Sequence, residues 1–356
     1  MPEDSYLQLA RRLDAIPNGF PRTGSGVELR LLAKIFAPEE AALAAQMSQT
    51  PEPPLAIAAR AGVDAKDAHR TLKQMVRKGL IIARRGERQL VFGLMPFVVG
   101  FYEEQLPRMD EELARLFEQY LQESMGGPII GYTPSVHRVI PVEEAIPFTL
   151  EIYPYERASE MLENARSWGV RDCICRVQQK LIGKGCDRPT GNCLLFAPVE
   201  GAFAADGTTR PITKAEALEL LHQAEEAGLV HTTGNYRDGH TYICNCCTCC
   251  CGVLRGVAEF GIPTAIAHSD FQAVVDTAVC SGCGACLDRC QFDALALADD
   301  LCSVDPVRCV GCGLCTSACD TGALNLDRRA PGDTPPTPTT PDEWLAERAL
   351  ARGMPS

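Results

Sequence analysis

Apolar residues in the first third of the chain recur at helical spacing. Leu29, Leu32, Ala33 and Phe36 share one face. A proline-rich break at Pro51, Pro53 and Pro54 precedes a short helical segment, Leu55 to Ala61. Gly62-Val63-Asp64 predicts a turn. Asp64 then caps a helix over Ala65 to Lys78, whose inner stripe is Ala68, Leu72, Met75 and Val76. Gly79 suits the stop of that helix. Leu80–Arg84 and Gln89–Gly93 flank Arg85-Gly86-Glu87-Arg88 and predict a hairpin. Beyond it, the spacing predicts one amphipathic helix over Glu103 to Glu123, with Leu113, Leu116, Phe117, Tyr120 and Leu121 inward. In the middle of the chain, Tyr155 to Ser167 and Thr213 to Gly228 read as helices. The second opens with a capping box of Thr213 and Glu216.

The order helix, helix, turn, helix, hairpin over Val27 to Met95 resembles a winged helix-turn-helix domain. That resemblance implies a helix for the major groove and a basic wing. The helix Ala65 to Lys78 carries Lys66, His69, Arg70, Lys73, Arg77 and Lys78, and the hairpin adds Arg84, Arg85 and Arg88. The stretch holds eleven basic and seven acidic side chains, within a chain of net charge −12. A local positive excess fits phosphate contacts, and Arg70, Lys73, Arg77 and Arg85 are the candidate DNA contacts. The overall negative charge argues against a nucleic-acid coat. Protein contact is the competing use of such a domain, since a fold does not fix a function.

Cysteine usage divides the chain. All nineteen cysteines lie between Cys173 and Cys319. The expected organisation is multidomain α+β. It comprises a winged-helix-like domain with a connecting helix (1–125), a cysteine-rich α/β domain (126–270), a ferredoxin-like dicluster domain (271–328) and a proline-rich tail with a short helix (329–356). The tail, with Pro331, Pro335, Pro336, Pro338 and Pro341, reads as a stiff extended linker. Its helix, Asp342 to Arg352, would dock on a partner or on the body. Met1 to Arg12 lacks a basic, then apolar, signal region. Apolar stretches such as Leu94 to Tyr102 are too short to span a bilayer. The expectation is a cytoplasmic protein without a membrane partner, and there clustered cysteines mean metal or redox chemistry rather than disulfides.

Cys280, Cys283, Cys286 and Cys290 read C-x2-C-x2-C-x3-C, and Cys309, Cys312, Cys315 and Cys319 repeat it at an offset of 29 residues. Three thiolates two residues apart on a tight loop reach three corners of one cubane. Gly282, Gly284, Gly311 and Gly313 let the backbone bend there. This repeat resembles the bacterial two-cluster ferredoxin. The resemblance implies two 4Fe–4S clusters, with the fourth cysteine of each motif serving the other cluster. One cluster would take Cys280, Cys283, Cys286 and Cys319, the other Cys309, Cys312, Cys315 and Cys290. The sequence departs from that family at Gln291 and Asp320, where proline is usual. Cys302 lies outside the repeat and reads as a small buried residue. Phe271 to Arg328 has eight aspartates, three arginines and no lysine, a surface suited to a basic site on a redox partner.

Ten cysteines remain: Cys173, Cys175, Cys186 and Cys193, then Cys244, Cys246, Cys247, Cys249, Cys250 and Cys251. The run from Cys244 to Cys251 exceeds the four thiolates of one tetrahedral ion. Adjacent residues in extended chain point to opposite sides, so the run is expected to face two ways or to ligate only in part. Cys186 and Cys193 are read as loop residues, within and at the end of the stretch Gly183 to Asn192, of the glycine-rich kind that wraps metals. The expectation is one or more further iron–sulfur clusters, with zinc as the alternative. The region is similar in general character to the cysteine-rich domains of anaerobic oxidoreductases. His231 and His240 flank Gly234 to Gly239 and are either ligands, proton donors or surface-loop residues. Arg176, Lys180, Lys184 and Arg188 would bind an anionic substrate, compensate cluster charge or form a solvated face.

Two functions follow. In the first, the chain is an iron–sulfur electron-transfer protein or an oxidoreductase subunit, relaying electrons through the ferredoxin clusters to the second cysteine field or to a partner protein. If it is an enzyme, it is an iron–sulfur oxidoreductase; no catalytic residue is assigned. In the second, it is a redox-sensing transcription regulator that binds DNA through the winged helix. No Gly-x-Gly-x-x-Gly follows a predicted strand, so no nucleotide or flavin fingerprint is present. The number of candidate ligand cysteines exceeds what a sensor with one labile cluster needs, which favours electron transfer.

Overall fold

The structure is a computed structural model and describes residues 2–124, 129–204 and 207–354. The expected boundary at 125/126 lies outside the described residues. The chain forms two compact units. One comprises Met1–Tyr132, Leu181–Gly183 and Arg348–Ser356; the other comprises Thr133–Lys180 and Lys184–Glu347. The cysteine-rich segment and the ferredoxin segment thus share the second unit.

The first unit is helical with one hairpin. Helices α1 (Pro2–Asp14), α2 (Val27–Ile35) and α3 (Pro38–Ala44) precede α4 (Pro54–Ala61) and α5 (Ala65–Arg77). Asp64 caps α5, its carboxylate accepting from the N–H groups of Lys66 and Asp67. Gly79 follows at φ 66°, which ends the helix in the left-handed region. Strands β1 (Ile81–Arg85) and β2 (Leu90–Leu94) pair antiparallel, and Phe92 also bridges Glu52. Ala68, Leu72 and Met75 are buried on the inner side of α5. The single helix expected over Glu103 to Glu123 is instead two pieces. A 3₁₀ stretch, Glu103–Arg108, contains Pro107; α6 (Glu111–Glu123) then starts afresh with Asp110 as its cap. Proline cannot donate to the helical ladder, and that forces the break.

The second unit is built on a seven-stranded mixed sheet. In chain order its strands are β3 (His137–Val139), β4 (Ser167–Arg171), β5 (Cys193–Ala197), β6 (Arg210–Ile212), β7 (Val230–Gly234), β8 (Tyr242–Cys246) and β9 (Ile266–Ala267). Their spatial order is β6-β4-β5-β8-β7-β3-β9. Helix α7 (Ala158–Glu163) is far shorter than the helix expected over Tyr155 to Ser167, because Ser167 already belongs to β4. Helix α8 (Ile174–Leu181) follows β4 directly. Helix α9 (Lys214–Glu226) opens on the Thr213–Glu216 capping box, and α10 (Gly252–Ala258) opens on Cys251.

The ferredoxin segment repeats one pattern twice. Strand β10 (Phe271–Val275) pairs with β13 (Leu324–Arg328), and β11 (Leu295–Ala298) pairs with β12 (Leu301–Val304); α11 (Ala285–Arg289) lies between β10 and β11. The proline-rich tail is not a free linker. Thr334 donates to Asp270 (3.3 Å), buried Arg138 donates to Thr337 (3.1 Å), and the Asp238 N–H donates to Thr339 (2.9 Å). Helix α12 (Pro341–Ala351) carries Trp344, whose indole N–H donates to the Ser135 carbonyl at 2.9 Å. Among the described residues no helix is long and apolar enough to cross a membrane.

Candidate metal centres

The ferredoxin repeat forms two cysteine-lined pockets. One is lined by Cys280, Cys283 and Cys286 of the first motif together with Cys319 of the second, with Cys302 also in its wall. The other is lined by Cys309, Cys312 and Cys315 together with Cys290. The chain has to bend tightly around both. Gly282 and Gly311 lie at φ 67° and 73°, and a Cβ at either would overlap a carbonyl oxygen, that of Asp300 or Phe271.

Backbone donors repeat with the same symmetry. The Ala273 N–H donates to Cys309 Sγ, and the Cys302 N–H donates to Cys280 Sγ, both at 3.4 Å. Cys302 therefore stands 29 residues after Ala273, as its counterpart in the second half of the repeat. It is buried, with its Sγ 3.7 Å from Cys286 Sγ. Burial pushes the Cys302 thiol up to about 12, and Cys286 beside it adds to this. The Ala294 N–H donates to Cys290 Sγ at 3.3 Å. Such donors favour thiolate, the form that ligates metal.

The second cysteine field divides into two sets, and local structure explains the division. Strand β8 places Cys244 and Cys246 on one face, since side chains alternate along a strand. A turn at 248–250 then redirects the chain, and Cys251 becomes the residue that opens α10. Cys247, Cys249 and Cys250 point elsewhere, toward Cys186 of the loop after α8.

The first set is a string of six thiols. Cys193, expected with Cys186 in the loop, is instead the first residue of β5, and it meets Cys244 on β8, the next pair in register after Leu194 and Ile243. Cys244 meets Cys246, Cys246 meets Cys251, Cys251 meets Cys175, and Cys175 meets Cys173. Cys173 and Cys175 stand at the start of α8, and Cys251 at the start of α10, where backbone N–H groups favour negative charge. Hydrogen bonds from Cys175 and Cys246 hold Cys251 well below the usual thiol range. His137 on β3 faces Cys251 and is buried. Both its ring nitrogens lack a hydrogen-bond partner among the described residues. A buried polar ring without a partner needs an explanation, and the sequence offered no signal for it.

The second set is tighter. The sulfur atoms of Cys186, Cys247, Cys249 and Cys250 all lie within 4.8 Å of one another. Cys186–Cys247 is 3.9 Å, Cys186–Cys250 is 3.7 Å and Cys249–Cys250 is 3.8 Å. Arg176, fully buried, donates to Cys247 Sγ at 3.7 Å and to the Asn245 carbonyl at 2.9 Å. Burial opposes its charge, but the Cys173 and Cys247 sulfurs hold it protonated, so its guanidinium serves both sets. Arg188 donates to Cys249 Sγ at 3.6 Å. Cys247 is held down to about 2 by hydrogen bonds from Cys249 and Cys250, with Arg176 adding to this. Of the four basic residues singled out near the first cysteine group, Arg176 and Arg188 thus compensate thiolate charge, whereas Lys180 and Lys184 are exposed.

Neither flanking histidine belongs to either set: His240 stands half-buried in the loop between β7 and β8, but His231 is not a surface-loop residue. His231 is buried in β7, between Asn245 Oδ1 (2.6 Å) and Glu225 Oε1 (3.0 Å). Asn245 is a hub that sequence reasoning missed; its amide also donates to the Asn192 carbonyl at 2.7 Å. His240 stacks on Tyr236 and contacts Thr233 Oγ1 at 3.1 Å. In the first unit, Arg70, Lys73, Arg77 and Arg85 are all exposed, with Arg70 paired to Asp67 at 2.8 Å.

Comparison with known proteins agrees with the C-terminal geometry. No curated protein and no solved structure matches the chain. The 4Fe-4S binding domain family matches residues 273–296 and 303–325, the two halves of the repeat. The chain thus carries a C-terminal 4Fe–4S binding domain, and with it an iron–sulfur electron-transfer role in general terms.

Proposed function

We propose that the chain is an iron–sulfur electron relay, or a subunit of an anaerobic-type oxidoreductase, with two 4Fe–4S clusters of the bacterial ferredoxin type and a third iron–sulfur site in the same unit. The observation that carries this reading is the lining of the two cavities: each gathers three cysteines of one motif and the fourth cysteine of the other. Cys280, Cys283, Cys286 and Cys319 would hold one cluster, and Cys309, Cys312, Cys315 and Cys290 the other. When bound, such clusters take up and release single electrons. The residues of the chain do the rest. They supply thiolates, aim backbone N–H groups at sulfur and bury Cys286, Cys309 and Cys315, leaving the Cys283 edge exposed.

The third site would lie in the six-thiol string, with Cys173, Cys175, Cys246 and Cys251 as ligands. Six sulfurs exceed what one tetrahedral ion uses, which suits a polynuclear cluster. His137, buried beside Cys251 and with neither ring nitrogen hydrogen-bonded among the described residues, fits as a further ligand or as a donor to that thiolate. The redox partner would be a protein with a basic face, since all eight aspartates of the ferredoxin segment are exposed. Nineteen free cysteines suit a reducing, cytoplasmic setting.

The test is anaerobic purification with determination of iron and acid-labile sulfide. About twelve of each per chain is the expected result for three cubanes. About eight would leave the ferredoxin clusters and remove the third site.

A second reading has its own observation. The first unit presents α4, α5 and a hairpin in the order of a winged helix. Lys66, Arg70, Lys73 and Arg77 on α5, and Arg84, Arg85 and Arg88 on the hairpin, are exposed. A redox-sensing transcription regulator would use these on DNA. A mobility-shift assay at two salt concentrations, on oxidised and reduced protein, decides it; absence of a salt-dependent shift in both states removes the regulator.

A further inference from the structure

The second thiol set differs in kind from the other cysteine sites. Its four sulfurs are mutually within 4.8 Å, and among the described residues no other group of three or more Cys, His, Asp or Glu ligand atoms is gathered so closely. The eight ferredoxin cysteines instead surround cavities, as they must if a cubane is to sit between them. Thiolates bound to four different irons are carried outward by those irons. Thiolates bound to one ion are drawn together. For a zinc–sulfur bond of about 2.3 Å, the edge of a regular tetrahedron is about 3.8 Å. The three close approaches here are 3.7, 3.8 and 3.9 Å.

We infer that Cys186, Cys247, Cys249 and Cys250 form a mononuclear tetrathiolate site for zinc, separate from every iron–sulfur site of the chain. Four thiolates around a divalent ion leave two negative charges. Arg176 on Cys247 and Arg188 on Cys249 supply two positive ones. Buried charge is tolerated where it is paired and hydrogen-bonded in this way. Binding releases the thiol protons to solvent, and no electron is exchanged, because zinc has no accessible redox step.

The site has a clear mechanical effect. Cys186 comes from the loop after α8, whereas the other three come from the turn between β8 and α10. A zinc ion would pin that loop across the turn. The same turn begins after Cys246 and ends at Cys251, both members of the six-thiol string. Zinc would therefore fix the geometry of the redox site without taking electrons itself. This assignment stands whether or not the six-thiol string carries a cluster.

The experiment uses the full chain, purified without oxygen from cells supplied with both iron and zinc. Zinc, iron and sulfide are measured, and zinc-edge X-ray absorption is recorded on the unmutated protein. The expected result is about one zinc per chain, bound by four sulfurs at about 2.3 Å with no iron neighbour. Cys249 is exposed, so Cys249→Ser is the variant least able to disturb folding. It should lose zinc and keep all iron and sulfide, and Cys249→His should recover zinc with one nitrogen in the shell. Absence of zinc, one iron in its place, or loss of four iron and four sulfide in Cys249→Ser each overturns the assignment. An iron count below eight would instead defeat the relay reading and leave the zinc result intact.

Discussion

The Gln291 side chain accepts a hydrogen bond from the Thr248 N–H at 2.9 Å. Gln291 follows the last cysteine of the first ferredoxin motif, and Thr248 lies in the middle of the cysteine run. The same amide donates to the Gly228 carbonyl. Arg289, two residues earlier, donates to the carbonyls of Glu225 (2.7 Å) and Glu226 (2.9 Å) at the end of α9. The position where the ferredoxin family usually has proline is thus used to join two cysteine fields.

Gln291→Pro therefore restores the family residue and removes the joint. Iron and sulfide should stay at the wild-type level, since no ligand changes. The chain should lose about 1–2 kcal/mol of stability for the lost hydrogen bonds and the Thr248 N–H left unpaired. Thermal unfolding under argon, with parallel metal analysis, checks both parts. Loss of four irons in this variant would mean that Gln291 maintains a cluster and not a junction.

Cross-ligation predicts a pattern in double variants that single variants do not give. Under the proposed assignment Cys290→Ser combined with Cys309→Ser would remove two ligands of the same cluster, and iron should fall by about four. Cys290→Ser combined with Cys286→Ser would instead remove one ligand from each cluster, and iron should fall by about eight. Equal losses in the two double variants would exclude the crossed assignment. Cys302→Ala should keep all iron, because Ala273 already fills the symmetric position. It should shift the potential of the cluster next to Cys286, measurable by redox titration followed by electron paramagnetic resonance.

Glycine conformations separate fold strain from mere left-handed geometry. Gly311 and Gly322 both have positive φ, but a Cβ at Gly322 meets open space, whereas one at Gly311 meets the Phe271 carbonyl and Ser269. Gly322→Ala should cost about 1–2 kcal/mol. Gly311→Ala should cost about 1–3 kcal/mol more, with loss of the cluster held by Cys309, Cys312 and Cys315. Denaturant unfolding and visible absorbance would show whether the two glycines differ in this order.

How much of this was written in the sequence depends on how local the cause is. Asp64, Gly79 and the Thr213–Glu216 box act within one turn of chain, and the structure has each in its expected place. The 29-residue repeat is local in the same sense. The break at Pro107 was equally local, but the amphipathic stripe running through it outweighed it in the reading of the helix. The ten middle cysteines were different. Alternation along β8 explains why Cys244 and Cys246 share a face, but the sorting of Cys247, Cys249 and Cys250 depends on a turn, and their partner Cys186 is some sixty residues away. His137 lies in a three-residue strand whose neighbours give no hint of Cys251. His231 looked like a loop residue because strand β7 begins only one residue before it.

The exposed basic residues of α5 and the hairpin make the regulator reading testable without reference to iron. Lys73→Glu with Arg77→Glu reverses two charges on the face that would meet phosphate. If DNA is bound, affinity should fall roughly tenfold or more and the salt dependence should flatten. Both side chains are exposed, so stability should move by less than about 0.5 kcal/mol. Unchanged binding in fluorescence anisotropy would assign these side chains to solvent.

Arg176 is the residue on which the two thiol sets converge, and its replacement should be the most damaging single change outside the ligands. Its guanidinium is fully buried and faces Cys247 directly, with Cys173 and Cys246 also within its field. Arg176→Met keeps the volume but leaves thiolate charge uncompensated, at a cost of about 3–5 kcal/mol. Arg176→Lys keeps the charge but cannot reach Asn245, Asn192 and Cys247 together, because the ammonium lacks the planar fork. Metal content should therefore fall in the order wild type, Lys, Met. The ferredoxin clusters should remain at about eight irons in all three proteins. Metal analysis of the folded fraction decides it: an unchanged zinc and iron content in Arg176→Met would show that the thiols carry less negative charge than this geometry requires.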